Sequence, residues 1–383
     1  MKRSRSQQQE LMGSEIQPSH TRNPWDPAAP ATPPAPRRYD VDWLRAMAIG
    51  LLIVFHVALS FQSWAAAIGF PQNEQLLDEL VPLISMLAVW RIPLLFVISG
   101  MGVRFAMERR DWKLLLKDRT LRILVPYLFG IAVLGPLFLV GLPYLGWDAD
   151  YTLNFGHLWF LLNIFLYVVW VLGLLVYLKD RPSNPVFRLL SKTIQSPMGL
   201  FVFALPLMAE ARLTNPEYYS VYIDNIHGWL MGLICFFTGF VFISLKEVFW
   251  PAVARTRWVA VAVAASLYLV RLRVLGLDNE ITWLTGLESM SWILAALGFG
   301  AMHLNRPSRG LSYFSEATYP VYIVHLPVQF SIAYFLLPAP LAAPVKLGMM
   351  LLGTFAISFL IYEYALRRWR WVRPLFGMKL RTA

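Results

Sequence analysis

The sequence predicts an all-α, polytopic integral membrane protein with about ten transmembrane helices and both termini in the cytosol. Its composition is the first observation, because 57% of the residues are hydrophobic, only 15% are charged and the mean hydropathy is +0.52. A soluble protein carries roughly 25% charged residues, so this chain has too few charges to cover a water-facing surface. The second observation is that lysine and arginine lie between long apolar segments and alternate by side.

Ten apolar segments are long enough to be considered as spans, since a helix needs roughly 20 mostly apolar residues to cross a bilayer. They are 43–64, 80–103, 121–142, 157–178, 197–212, 227–245, 258–275, 283–304, 313–337 and 344–366. The segment 197–212 is short and contains Pro206 and Glu210. The polar, proline-rich stretch 1–38 predicts a disordered cytosolic tail, 39–375 the membrane domain and 376–383 a short basic cytosolic tail.

The distribution of cations sets the predicted orientation. Lysine and arginine precede the first segment and follow the even-numbered ones, whereas the loops 65–79 and 143–156 contain neither. This asymmetry places both termini in the cytosol and makes the number of spans even. The net charge of +11 therefore reflects topology, and with no basic stripe of interleaved aromatics we exclude a nucleic-acid partner.

The cysteine content and the absence of known ligand motifs exclude several kinds of site. Cys235 is the one cysteine, so the sequence allows no intramolecular disulfide. No HExxH motif, Cys/His cluster or Walker-type phosphate loop occurs, so we expect no metal and no bound cofactor.

The first segment places two ionisable residues on one helix face. Arg45 and His56 are eleven residues apart, which is just over three turns and about 16 Å along the axis. Asp42 precedes Arg45 by three residues and is within reach of it. An ionisable residue within a span is a candidate for function. The alternative is a snorkelling anchor at Arg45 and an interhelical hydrogen bond at His56.

Arginines mark two further places. Arg91 lies half-way through the second segment, so it should face a partner or a wet cavity, as a functional group or as half of a structural ion pair. Ser99 and Gly100 follow it and could allow close backbone approach to a neighbour or ligand. Arg119 and Arg122 share one helix face at the cytosolic entrance to the third segment. They could bind phosphates bidentately, or anchor the topology against anionic lipid.

Histidines occur again at membrane depth. His325 lies about half-way through the ninth segment and His157 at the outer end of the fourth, while Glu363 lies near the inner end of the tenth. A single membrane histidine is usually an interhelical hydrogen-bonding residue. Two at similar depth together with a buried arginine favour one shared site.

Five sequence pieces occur in an order that is typical of one family. They are DWLRAMAIGLLIVFH, RIPLLFVISG, RTLRILVP, HLWFLL and YPVYIVHLP. On these the chain resembles the acyltransferase 3 family of bacterial membrane O-acyltransferases, over roughly residues 39–375. Arg45-x10-His56 and Arg119-x2-Arg122 match two motifs of that family. RIPLLFVISG, HLWFLL and IYEYALRRWRWVRPLFG are most similar to its periplasmic-glucan succinyltransferase type, which has a second histidine where this chain has Leu326.

The resemblance implies a multi-pass protein of the bacterial inner membrane that uses cytosolic acyl-CoA as co-substrate and binds no cofactor. It implies transfer of an acyl group, acetyl or succinyl, to a hydroxyl of a glycan, a lipid or a small molecule. His56 is then the general base, with Arg91 and His325 as further catalytic residues. The remaining candidates are Arg45, Arg119 and Arg122 for donor binding, and Asp42, His157, Ser99 and Glu363 for unspecified roles.

Two other classes stay open at this point. A transporter that flips a glycan or lipid could use the polar cluster as its path, and a non-catalytic assembly subunit could use it for structural charge pairs. The sequence has no internal repeat and no matching pair of broken helices, which argues against the transporter. The common face of Arg45 and His56 argues against the subunit.

The cation asymmetry generates a topology prediction. Reporter fusions after Leu145 and after Ala342 should both report a position outside the cytosol, because each follows an odd-numbered span. A cytosolic signal from either fusion would overturn the ten-span arrangement.

Overall fold

The computed structural model describes residues 37–135, 156–196, 198–277 and 279–379, and every regular element in these ranges is helical. The predicted all-α class is thus confirmed for them. The α-helices are α1 (Tyr39–Leu59), α2 (Val81–Met107), α3 (Trp112–Arg119), α4 (Val125–Phe129), α5 (Trp159–Lys179), α6 (Pro185–Gln195), α7 (Ala204–Thr214), α8 (Ile226–Ser244), α9 (Lys246–Val270), α10 (Thr282–His303), α11 (Arg309–Leu336) and α12 (Ala343–Ile361). Four π-helical segments continue these helices, namely Thr120–Leu124, Gly130–Leu134, Arg271–Leu275 and Tyr362–Leu366. Short 3-10 turns occupy Ala66–Ile68, Asp78–Leu80, Gly156–Leu158, Gly199–Phe203 and Arg373–Phe376.

Eight helical stretches in the described ranges are long and apolar enough to cross a membrane. They are Tyr39–Leu59, Asp78–Met107, Gly156–Lys179, Ile226–Ser244, Lys246–Leu275, Thr282–His303, Arg309–Leu336 and Ala343–Leu366. Each corresponds to one of the ten predicted spans, and large apolar side chains such as Trp170, Phe335 and Leu352 stand exposed on them. The chain is therefore a multi-pass membrane protein.

The other two predicted spans differ in outcome. The segment 121–142 is helical as far as residue 135, and its remainder lies outside the described residues. The segment 197–212 coincides with a 3-10 turn and then α7, together about 26 Å of helix, which is short of the roughly 30 Å hydrocarbon thickness. The count of ten spans stays a prediction, as does the orientation. The tail 1–38 falls almost wholly, and 376–383 partly, outside the described residues.

One predicted boundary is clearly displaced. The helix predicted at 258–275 begins at Lys246, because α9 extends through Arg255 and Arg257 before its apolar part. Apolar periodicity locates the membrane part of a helix and not its polar extension.

Helix α2 is the central element of the bundle. It packs extensively on α8 and also contacts α1 and α10, while α1 packs in turn against α10, α11 and α12. Eight consecutive residues, 91–98, are buried, so no face of α2 is open at that level. A helix that is apolar all round belongs in the interior of the protein, and Arg91 lies within this buried stretch.

Two glycines permit the contact between α2 and α8. A Cβ built on Gly100 would lie 1.8 Å from the Phe236 carbonyl oxygen, and one on Gly239 would lie 1.9 Å from that of Val97. The two backbones therefore touch reciprocally, which is the small-residue packing typical of membrane helices. The close approach considered for Gly100 in the sequence is to α8.

We expect Gly100→Ala to separate α2 from α8 and to lower the free energy of unfolding by about 1–3 kcal/mol, as overpacking does. The measurement is the melting temperature in detergent. The control is Gly173→Ala on α5, where an added Cβ meets nothing within 4 Å and alanine should be as stable or better. Equal melting temperatures for Gly100→Ala and Gly173→Ala would contradict the reciprocal contact.

Candidate active site

Three histidines from three separate elements meet in the interior of the bundle. His56 comes from α1, His325 from α11 and His157 from the 3-10 turn that precedes α5. His56 Nδ1 lies 2.9 Å from His325 Nε2, and the His157 and His325 ring centres are 4.9 Å apart. His325 is fully buried, whereas His56 is half-buried. The structure thus brings together the three histidines that the sequence singled out.

The backbone carbonyl of Tyr322 fixes which histidine nitrogens carry protons. Its oxygen lies 2.6 Å from His325 Nδ1 and 3.0 Å from His157 Nε2. A carbonyl oxygen can only accept, so both histidine nitrogens must donate to it. In a neutral His325 ring, Nδ1 therefore donates and Nε2 accepts, so His56 Nδ1 must donate to His325 Nε2. His56 Nε2 is left as a lone-pair acceptor with no hydrogen-bond partner among the described residues.

Proline helps to position His157. Pro327 lies inside α11 and has no N–H, so the Ile323 carbonyl lacks its helical donor. His157 Nε2 lies 3.2 Å from that oxygen. The Tyr322 hydroxyl donates in return to the His157 carbonyl. His157 therefore joins the start of α5 to the middle of α11.

Two further residues hold His56 in place. Gln329, which is fully buried, donates from Nε2 to the His56 carbonyl at 2.8 Å. Phe70, from the segment between α1 and α2, brings its ring centre to 5.5 Å from that of the His56 ring. These contacts fix the backbone and one ring face of His56.

Arg91 lies near this cluster with part of its hydrogen-bonding capacity unused. Its side chain is only 3% exposed, and its Cζ lies 3.9 Å from the centre of the Phe55 ring. Nε and Nη1 have no hydrogen-bond partner in the described part of the chain. The structural ion pair considered from sequence is therefore not present among the described residues. A buried donor without a partner is costly, so Arg91 has hydrogen-bonding capacity to spare.

A cluster of arginines lies at the end of the bundle where α1 begins and α2 ends. Arg119 donates from Nη2 to the Gly102 carbonyl at 3.3 Å, and a Cβ on Gly102 would lie 3.7 Å from Arg45 Nη2. Arg122 pairs with Asp118 at 3.1 Å. Burial lowers the pKa of Arg119 to about 10, an effect that Asp118 opposes and that Arg45 and Arg122 reinforce. Arg119 stays charged at neutral pH, and a bound anion would relieve its unfavourable surroundings.

The remaining predicted candidates contact local partners. Asp42 pairs with Arg45 at 3.5 Å. Ser99 donates to the Leu95 carbonyl of its own helix at 2.8 Å. Glu363 pairs with Arg367 at 2.8 Å. None of these three bonds reaches the histidine cluster.

Some residues of the site escaped the sequence analysis. Tyr322, Gln329 and Phe70 look like ordinary core or loop residues, although the position of Gln329, four residues after His325 on α11, was a usable signal. The buried pairs Arg271–Glu288 and His227–Glu210 lie in other helices, with atoms 2.8 and 2.9 Å apart. Within the described ranges no group of three histidine, cysteine or acidic residues could hold a metal ion.

A multi-pass bundle with an interior histidine cluster and an arginine cluster beyond it fits a membrane enzyme that transfers a group. The chain belongs to the acyltransferase 3 family, because the acyltransferase domain of that family matches residues 38–363. It is accordingly a membrane acyltransferase, and the resemblance drawn from the five sequence pieces is confirmed.

Among individual proteins, the chain is similar to the glucans biosynthesis proteins C of Salmonella paratyphi B and Salmonella dublin. Each is 24% identical over 367 residues, which cover 87% of this chain and 93% of the relative. The same protein of Salmonella enteritidis PT4 matches equally. No solved structure matches the chain significantly.

Proposed function

We propose that this membrane acyltransferase moves an acetyl or succinyl group from cytosolic acyl-CoA to a hydroxyl of a glycan, in the bacterial inner membrane. The observation that carries the proposal is that His56 Nε2 has no partner among the described residues while Arg91, which packs on the adjacent Phe55 ring, has two unused donors. His56 lies about 16 Å along α1 from Arg45. The names of the Salmonella relatives, which refer to glucan biosynthesis, support a glycan over a lipid or small molecule.

Donor binding is proposed for Arg45, Arg119 and Arg122. CoA carries its phosphates at one end and its thioester at the other, joined by an extended arm. Guanidinium groups bind phosphate through paired, charge-assisted hydrogen bonds. With the phosphates at the arginine cluster, the arm would run along α1 toward His56, and a reach of about 16 Å suits part of such an arm.

His56 and Arg91 are proposed to carry the chemistry. His56 Nε2 accepts the proton of the acceptor hydroxyl while that oxygen attacks the thioester carbonyl. The Nε–H and Nη1–H groups of Arg91 stabilise the negative charge that develops on the carbonyl oxygen. When the carbon–sulfur bond breaks, the leaving thiolate takes the proton back from His56. His325 and His157 serve as positioning residues, because they hold His56 in the tautomer that exposes Nε2.

Membership of an acyltransferase family favours this enzyme over a transporter or an assembly subunit. An assembly subunit would use Arg91 in a structural ion pair, but the Nε and Nη1 donors of Arg91 have no partner among the described residues. A transported sugar would instead need a continuous path that alternates between two open states.

The decisive variant is His56→Gln, which keeps a hydrogen-bonding side chain but cannot take up a proton. A general base contributes about 10²–10⁴-fold, so turnover of acyl-CoA should fall by at least that order while acyl-CoA binding persists. His56→Ala should be similarly inactive. The measurement is release of free CoA by the purified protein, supplied with candidate glycans and donors.

The control for this experiment is His303→Gln, which changes an exposed histidine at the end of α10. It should retain the wild-type rate. If His56→Gln also retained most of the activity, His56 would be a packing residue and the proposed mechanism would be wrong.

For the donor arginines, Arg119→Ala and Arg122→Ala should raise the apparent KM for acyl-CoA more than they lower kcat, because they remove binding and not chemistry. Each lost charged hydrogen bond should weaken binding by about 1.5–3 kcal/mol. Arg368→Ala, an exposed arginine at the same end of the bundle, is the matched control. Unchanged acyl-CoA affinity in both variants would refute the donor assignment.

A further inference from the structure

We propose that Tyr319 is a further donor-binding residue, whose hydroxyl hydrogen-bonds a phosphate of the donor and which the C-terminal turn at Gly377 holds in place. The inference rests on the proposed donor site at Arg119 and Arg122. Tyr319 begins the piece YPVYIVHLP and Gly377 ends the piece IYEYALRRWRWVRPLFG, and neither residue has been given a role so far.

The first observation is a pair of unused donors in the same part of the bundle. The Tyr319 hydroxyl and Arg119 Nε are both buried and have no hydrogen-bond partner among the described residues. The Tyr319 ring lies close to the chain just after Arg119, because a Cβ on Gly377 would be within 3 Å of both Tyr319 Cε1 and the Arg122 carbonyl oxygen. Two buried donors without acceptors are costly. A single ligand group that carries several oxygens would satisfy both.

The second observation is where Tyr319 lies on α11. It precedes His325 by six residues, about 9 Å along the axis. The displacement is toward the end of the bundle that carries Arg119 and Arg122. Tyr319 thus belongs to the phosphate end of the proposed donor path and not to its thioester end.

The third observation is the turn that supports Tyr319. Gly377 has φ +69°, and a Cβ on it would lie 2.4 Å from Tyr319 Cε1 and 2.9 Å from the Arg122 carbonyl oxygen. Only glycine combines that backbone conformation with so close an approach. The turn therefore contacts the tyrosine ring and the backbone of a donor arginine at once.

This turn is fastened to the bundle on both sides. Arg373, which is 4% exposed, donates to the carbonyls of Arg367 and Lys379 and to Glu316 Oε1 at 2.7–2.9 Å. Phe376 packs edge-on against Phe129, with ring centres 5.5 Å apart. These contacts hold the turn in one position against the Tyr319 ring.

Phosphate is the ligand that this arrangement suits. Two guanidinium groups provide charge and paired donors, and a phenolic hydroxyl provides one more donor of fixed direction. A phosphate has enough oxygens to accept from all three residues. Pantetheine, the arm of the donor without its phosphates, would make none of these contacts.

The test measures binding of CoA and of pantetheine to the full-length protein in detergent. Tyr319→Phe should weaken CoA binding by about tenfold or more, as loss of a hydrogen bond to a charged group does, and leave pantetheine binding unchanged. Tyr364→Phe, an exposed tyrosine at the same end, should bind both like the wild type. Gly377→Ala should weaken CoA binding similarly, with little further loss when combined with Tyr319→Phe.

The outcomes separate the two proposals. If the wild type binds CoA and Tyr319→Phe binds it equally well, or loses pantetheine to the same extent, the role of Tyr319 is overturned. If Gly377→Ala lowers the melting temperature but not CoA affinity, the turn is structural only. If the wild type itself binds no CoA, the proposed donor fails, and this inference fails with it.

Discussion

A polar group in the interior of a membrane bundle must find its partner within the protein, because hydrocarbon offers none. In this protein that constraint explains both the groups that are satisfied and those that are not. The Tyr322 carbonyl satisfies two histidines at once, and the glutamates of α7 and α10 satisfy a buried histidine and a buried arginine. Other buried polar atoms have no partner among the described residues, and those of Arg91, Arg119 and Tyr319 are the ones that the proposed function uses.

The same constraint determines which ring nitrogens of the histidine cluster carry protons. One carbonyl that can only accept determines the proton on His325, and through it the proton on His56. The ring that remains open toward substrate is then the one with a free lone pair. In the proposed mechanism the general base is oriented by hydrogen bonds to neutral groups, without the carboxylate that orients histidine in many hydrolases.

Much of this could be predicted from the sequence. Hydropathy located eight helices that the structure contains, and helical spacing placed Arg45 and His56 on one face of α1. The hydrogen bond between His56 and His325 depends on how α1 packs against α11. These helices are far apart in the chain, and a single sequence does not specify such a contact. Gln329 could have been noticed from its spacing to His325, but its contact with the His56 carbonyl depends on the same packing of α1 on α11. Tyr322 acts through its backbone, which no residue type reveals.

The interlocked glycines of α2 and α8 have a mechanical consequence. The same helix that bears Arg91 in its middle bears Gly102, beside the arginine cluster, near its end. Because the backbones are in direct contact at that level, sliding one helix past the other would drive carbonyl oxygens into one another. Helix α2 is therefore locked against α8 along its axis, and Arg91 and Gly102 stay about 16 Å apart because both lie on this one rigid helix.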